Sequence, residues 1–181
     1  MFTVQKMQTF TTMILATLFV TGARAQFVDL SYDKNKNGTN VTTFVLAGEP
    51  VKKVSALVVA DSTGYGEAFV GTTATFGSLT VRPYVGVEWV DGMGAKPRAL
   101  VLTSLPLGRF TFNNVNEFGG MTGNFYKTAL GYQVSEKWKM SLVHHSAVGV
   151  GGRIDITVPE GYTFYLQVLE RRATVGVALK F

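Results

Sequence analysis

The sequence contains no cysteine and only five prolines among its 181 residues. Without cysteine no disulfide framework can stabilise the fold, so its stability must come from burial and hydrogen bonding. Charge is also sparse, since 17 basic and 12 acidic residues leave a net charge of +5. This excess is too small and too scattered along the chain to predict binding to nucleic acid.

Long apolar runs are absent after residue 25. A transmembrane helix needs about 20 consecutive apolar residues, and no later stretch approaches that length. The N-terminus instead carries Lys6, an uncharged and largely apolar segment over Phe10–Val20, and the small-residue pattern Ala23-Arg24-Ala25. We expect residues 1–25 to be a cleaved secretory signal peptide and residues 26–181 to be one exported domain, with a retained N-terminal anchor helix as the alternative.

Glycine and aromatic residues are abundant, with 20 Gly, 13 Phe and 7 Tyr. No segment after residue 25 shows helical periodicity, whereas twelve short segments alternate between two faces and are separated by turn residues. The clearest are Thr80–Val90 and the closing segment Ala173–Phe181. In the closing segment Val175, Val177 and Leu179 share one face, because side chains in a strand alternate with a period of two. The sequence therefore predicts an all-β fold.

Turn lengths and the position of aromatic residues favour a membrane barrel. The shorter turns, near residues 49, 77, 107, 136 and 160, all fall at the end of the strands where Phe181 lies. Outer-membrane barrels have short periplasmic turns, longer outer loops and aromatic girdles at both interfaces. The aromatic residues placed near predicted strand ends are Trp89, Phe118, Tyr126, Trp138 and Phe181. We therefore expect an antiparallel up-and-down closed transmembrane β-barrel.

The strand count is bracketed between eight and twelve. Twelve strands result if every alternating segment is real, ten if residues 148–169 form an extramembrane hairpin, and eight would be common for a chain of this size. A soluble secreted sandwich or lipocalin-like binding barrel is the alternative fold, in which the apolar faces would point inward.

Charged residues on the predicted inner face are expected to pair into a polar plug that fills a narrow barrel, which leaves a solute channel as the less favoured expectation. That set comprises Arg82, Glu88, Arg109, Glu117, Lys127, Lys139 and Lys180.

One pair of residues has catalytic character. His144 and Ser146 fall on the same, lipid-facing side of a strand, at its outer end, where a serine hydroxyl beside an imidazole could attack the ester bond of a lipid. No cofactor and no metal site is predicted. Asp33–Gly38 matches the first half of a calcium loop, but Phe44 occupies the place of its bidentate glutamate, so a hairpin turn is the preferred interpretation.

The His144-His145-Ser146 motif resembles that of the outer-membrane lipid A 3-O-deacylases, which are acyloxyacyl hydrolase-like barrels. The resemblance implies hydrolysis of an acyl ester of lipid A, with Ser146 as the nucleophile, His144 as its base and Glu170 as the orienting acid. Glu160 is the second choice for that acid. The chain departs from the family at Ala147, where an asparagine usually follows the serine.

The leading expectation is an outer-membrane β-barrel with a structural or surface-interaction role, and the esterase is the alternative. The expected partners of the barrel are outer-membrane lipid or lipopolysaccharide, and the barrel-assembly machinery through the C-terminal strand. The sequence leaves the oligomeric state open. The interpretation favoured over catalysis is that both histidines are interfacial residues near the lipid headgroups.

Overall fold

A computed structural model describes residues 24–180 of the chain, with side chains from residue 27 onward. The strands are β1 (Arg24–Asn35), β2 (Asn40–Val51), β3 (Val54–Asp61), β4 (Tyr65–Thr72 continuing as Ala74–Phe76), β5 (Leu79–Val90), β6 (Gly94–Leu107), β7 (Phe110–Gly119), β8 (Phe125–Gln133), β9 (Trp138–His145), β10 (Gly149–Thr157), β11 (Tyr162–Leu169) and β12 (Arg172–Lys180). The described residues contain no helix, and therefore none that could span a membrane.

The two segments of β4 form one strand. Both pair with β5 in a single unbroken register, from Tyr65 opposite Val90 to Phe76 opposite Leu79. The barrel therefore has twelve strands, which is the upper end of the predicted range, and the counts of eight and ten are wrong. The glycine-rich segment Gly149–Gly152 is the start of β10, where Gly151 pairs with Leu169.

Every strand pairs antiparallel with its neighbours in the chain, and the last strand pairs with the first. The closing contact between β1 and β12 runs over nine residue pairs, from Phe27 opposite Lys180 to Asn35 opposite Arg172. Following the register once around the barrel returns to β1 displaced by about 14 residues, which for twelve strands gives a tilt of roughly 40° and a backbone radius of about 12 Å. A cylinder of that radius is wider than its inward side chains can fill.

Inward side chains reinforce the closing seam. Arg172 on β12 makes an ion pair of 3.1 Å with Asp33 on β1, and the Thr174 hydroxyl donates to the same carboxylate at 2.5 Å. The Tyr165 hydroxyl on β11 donates to Asp29 on β1 at 2.8 Å, so this hydrogen bond passes across β12. This reach requires Gly176, since a Cβ there would lie 2.3 Å from the tyrosine ring. The Asp33 carboxylate therefore belongs to the contacts that close the barrel between β1 and β12.

The outer face of the barrel is an apolar belt. On β5 the inward Tyr84 and Glu88 are 6% and 0% exposed, whereas the outward Val85 and Val87 are 71% and 44% exposed. Exposed apolar side chains on the same outer face also occur on β1, β4 and β7–β12: Leu30, Tyr32, Val70, Phe112, Leu130, Met140, Leu142, Ile154, Phe164, Leu166, Val168 and Val175. The soluble alternative, which needs its apolar faces inside, is therefore wrong, and the belt fits a barrel surrounded by lipid.

The connections at the two ends of the barrel differ less in length than the sequence suggested. We call the end at which β1 begins and β12 finishes the terminal end, and the opposite one the loop end. Connections are two to five residues long, and those at the loop end are residues 36–39, 62–64, 91–93, 120–124, 146–148 and 170–171. The connection after β5 is only three residues long, because β6 begins at Gly94 despite the glycine and proline residues around it. Phe181 and nearly all of the predicted signal peptide lie outside the described residues.

The seam supplies a test of closure. Tyr165→Phe removes the hydroxyl that donates to Asp29 and leaves the ring in place, so we expect the free energy of unfolding to fall by about 1 kcal/mol. Tyr132→Phe is the matched control, because Tyr132 lies on the outer face. Urea unfolding of the barrel in vesicles, followed by heat-modifiable gel migration, measures both. Equal midpoints for the two variants would contradict the seam contact.

Candidate functional site

The lumen contains a cavity of about 830 Å³ that is lined from both ends of the barrel. Gln133 and Thr157 line it next to the terminal end, and Asp33 and Arg172 line it next to the loop end. A cavity therefore remains between the inward side chains. The polar plug expected from the sequence does not fill the lumen, because the charged groups pair along the wall.

One wall of the lumen is apolar. Half-buried aliphatic side chains on β2, β3, β6 and β7 face the cavity: Val45, Leu57, Val59, Leu102 and Val115. Behind three of them lies a buried cluster of Phe69, Tyr84 and Leu100, in which the two aromatic rings meet edge to face at 6.5 Å. The cluster holds the aliphatic wall in place, and the wall presents hydrocarbon to the interior of the barrel.

The opposite wall, on β8–β12, is basic. The Arg153 guanidinium lies 3.7 Å above the Tyr165 ring and donates to Asp155 at 2.8 and 2.6 Å. Lys127 and Lys139 also line the cavity, and within residues 24–180 neither makes an ion pair with a carboxylate. Unpaired ammonium groups beside a cavity favour anions, since an opposite charge offsets the cost of removing them from water.

At the loop end, three carboxylates converge on one arginine. The Arg98 guanidinium contacts Glu67 at 2.8 Å, Glu88 at 3.0 Å and Glu117 at 2.6 Å, and the Tyr65 hydroxyl donates to Glu67 at 2.5 Å. Arg98 is 4% exposed and Glu88 is fully buried. The residues come from β4, β5, β6 and β7, so the cluster ties four strands together. We call it the mouth cluster.

The mouth cluster also holds a loop. The Thr122 hydroxyl donates to Glu88 at 2.5 Å and accepts from Arg98 at 2.8 Å, and the Met121 amide donates to Glu88. Gly120 has a φ of +73°, and a Cβ there would collide with the Glu88 carboxylate. Residues 120–124 are thereby held against the mouth cluster on the side of β5–β7, and on the opposite side Val148 of the turn 146–148 packs on Val143 and Leu169.

Several residues of the predicted inner set lie where they were expected. Glu117, Lys127 and Lys139 line the cavity, and Glu88 is buried beside it. Arg82 and Lys180 share the inward alternation of Tyr84 and Thr174. Arg109 was assigned wrongly, because it lies in the turn between β6 and β7, where its guanidinium stands 5.0 Å from the Tyr132 ring on the outer face.

The inner set also lacked several residues that the structure places in the lumen. They are Glu67, Arg98, Asp29, Asp33, Arg153, Asp155 and Arg172. Strict alternation within β10 would have found Arg153 and Asp155, which share one face. It could not have found Arg98, because its inward neighbours Leu100 and Leu102 make that face look like the lipid side.

The proposed catalytic residues lie at the loop end. His144 faces outward from the end of β9, with its ring 5.2 Å from that of Tyr126, and the Ser146 hydroxyl accepts from the Tyr126 amide at 3.1 Å. Glu170 lies in the turn after β11, beside Gly149 and two strands from His144. Within residues 24–180 no hydrogen bond joins His144, Ser146 and Glu170 to one another. Glu160, the second choice of acid, lies in a turn at the opposite end.

Solved porin structures share this architecture. The KdgM porin matches with a TM-score of 0.67 and 9% identity, over 86% of this chain and 99% of that chain. The same porin in complex with disordered oligogalacturonate matches with a TM-score of 0.66. The NanC porin matches with a TM-score of 0.62 and 12% identity, over 87% of this chain and 100% of that chain. No protein-family model and no curated protein matches the sequence.

At these identities the likeness shows the fold, which is the twelve-stranded barrel of outer-membrane porins. Together with the apolar outer belt, this fold places the protein in the bacterial outer membrane. The matched porins lend no support to the resemblance to lipid A deacylases.

The mouth cluster generates a stability prediction. Arg98→Met leaves three buried carboxylates without their shared cation, so we expect the free energy of unfolding to fall by about 3–5 kcal/mol. Arg109→Met, which removes an arginine from the outer turn, should cost at most about 1 kcal/mol. Urea titration in vesicles compares the two variants. Adding Glu67→Gln, Glu88→Gln and Glu117→Gln to Arg98→Met should restore part of the loss, and the absence of any restoration would contradict charge imbalance as the cause.

Proposed function

We propose that the protein is a passive channel for small water-soluble molecules. The observation that carries the proposal is the cavity of about 830 Å³ lined from the terminal end to the loop end inside a closed barrel. In a purely structural barrel the inward side chains are expected to pack against one another and to leave no such lumen. The structural or surface-interaction role expected from the sequence is the outcome that applies if the barrel does not conduct.

Two further observations support a channel. The mouth cluster holds residues 120–124 on the side of β5–β7, and the other connections at the loop end are only two to four residues long, so they offer little chain to cover the mouth. Barrels of the same fold are porins, and one of them has been solved with oligogalacturonate. That complex is a precedent, in that protein, for a solute bound by such a barrel.

The test is conductance. The barrel reconstituted in planar lipid bilayers should give discrete conductance steps in potassium chloride. Val115→Trp should lower the step size by roughly half, because Val115 faces the cavity and an added indole occupies part of a narrow lumen.

Val85→Trp is the matched control, since Val85 lies on the lipid-facing side and is 71% exposed. It should leave the step size unchanged. A folded wild-type barrel that gives no steps would rule out the channel, and equal steps from the two tryptophan variants would place the conducting path outside this lumen.

A lipid esterase is the second candidate. It is favoured by the position of His144, which faces outward at the loop end of β9, where an imidazole could reach a lipid ester. Its three residues would have to move into contact on substrate binding, because the Ser146 hydroxyl is bonded to the Tyr126 amide in the free protein.

This candidate has its own decisive comparison. Lipid A from cells that express the wild type should lose one ester-linked acyl chain, and cells that express Ser146→Ala should retain it. Ser135→Ala, in a turn at the terminal end, is the control and should behave as the wild type. Mass analysis that finds identical acyl content in all three strains would end the esterase hypothesis.

A further inference from the structure

We infer that the lumen binds amphipathic monocarboxylates, which are small acids with one charged end and an apolar body. The inference rests on the proposed channel function and names the class of solute that this lumen favours. It follows from the juxtaposition of an unpaired ammonium group with an aliphatic wall inside the cavity.

The charged end of the solute belongs at Lys127. Lys127 lies two residues into β8 from the loop end and lines the cavity, and within residues 24–180 its ammonium makes neither an ion pair nor a hydrogen bond. The two acids of β1 are already engaged, since Asp29 accepts from Tyr165 and Asp33 binds Arg172 and Thr174. A carboxylate from solution would therefore give Lys127 the partner that the protein does not supply.

The apolar body belongs against the aliphatic wall. Val115 lies directly opposite Lys127 in the register between β7 and β8, so the ammonium stands at the border of the wall. Leu57 and Leu102 extend the wall away from that border and pack on the buried aromatic cluster. Covering this hydrocarbon gains free energy in proportion to the area removed from water, and a fully hydroxylated solute would forgo that gain.

The mouth cluster argues for a single negative charge. Glu67 and Glu117 both line the cavity, and the cluster holds three carboxylates against one guanidinium. A solute with several carboxylates would meet this excess of negative charge while only one end could pair with Lys127. A monoanion with an apolar body satisfies both the basic and the acidic side of the lumen.

An orphaned acceptor on the basic wall marks a place for an ordered water in the lumen. The Gln167 side chain is 5% exposed and lines the cavity, and its Oε1 has no hydrogen-bond donor within the described part of the chain. Buried acceptors are ordinarily satisfied, so an ordered water is expected to donate to it beside the solute, which has no donor of its own.

The test compares hexanoate with gluconate, which are six-carbon monoanions that differ in their hydroxyl groups. Calorimetric titration of the folded full-length barrel in detergent, corrected with empty micelles, should show hexanoate binding at least about tenfold more tightly than gluconate. Affinity should rise about twofold to fourfold for each methylene from acetate to hexanoate. Equal affinity for hexanoate and gluconate in the wild type would overturn the inference, and this comparison requires no variant.

Variants locate the site. Lys127→Gln should weaken hexanoate binding by about tenfold, because a charge-assisted contact is lost, and Leu102→Asn should remove most of the preference over gluconate. Lys34→Gln, which removes a lysine exposed on the outer face, should bind as the wild type does. Equal losses in Lys127→Gln and Lys34→Gln would overturn the assigned site.

The same preparation separates this inference from the channel function. Potassium chloride conductance without a preference for hexanoate overturns the solute class and leaves the channel intact. Preferential binding without conductance overturns the channel and, with it, the role of hexanoate as a transported solute.

Discussion

A backbone amide inside a bilayer has no water to bond, and this constraint determines the architecture of the chain. Twelve strands satisfy it only if the last pairs with the first, which β12 does over nine residue pairs with β1. The Tyr165 contact to Asp29 and the Arg172 contact to Asp33 hold that seam from the inside. Strand number and register then fix the radius, and the radius leaves a lumen that the side chains do not fill.

Because the outer face contacts lipid, a transport or binding function is left to the inner face. The inner face has one apolar wall and one basic wall. The aliphatic wall on β2–β7 rests on Phe69, Tyr84 and Leu100, while β8–β12 present arginine and lysine. The mouth cluster lies on β4–β7 at the loop end, where Arg98 neutralises part of the acidic charge and Glu88 holds residues 120–124. Lys127 stands at the border between the two walls.

Much of the fold could be predicted from the sequence, because alternation is strong wherever one face is polar. On β5 the exposed Val85 and buried Tyr84 follow the predicted pattern. The same rule failed on β6, where Leu100 faces the lumen and Val101 faces outward, so both faces are apolar and parity carries no information. The expected difference between short turns and long loops was too large for a related reason. Gly94 has the composition of a loop residue, yet it begins β6.

The candidate site was largely beyond sequence reasoning. Glu67, Glu88 and Glu117 lie far apart in the chain and converge on Arg98 only through the register of four strands. That register sets the stagger of the whole barrel, and neither local alternation nor composition encodes it. The apolar wall could not be recognised from the sequence either, because apolar residues in a barrel strand are ordinarily assigned to the lipid side.

The central claim is that a water-filled lumen lies inside a lipid-facing wall, and adjacent residues test it most directly. Thr163 lines the cavity and Phe164 is exposed on the outer face, and the chain has no cysteine of its own. In outer membranes, Thr163→Cys should react with a small charged thiol reagent that cannot enter lipid, and Phe164→Cys should not. Reaction at Phe164→Cys, or protection at Thr163→Cys, would contradict the account.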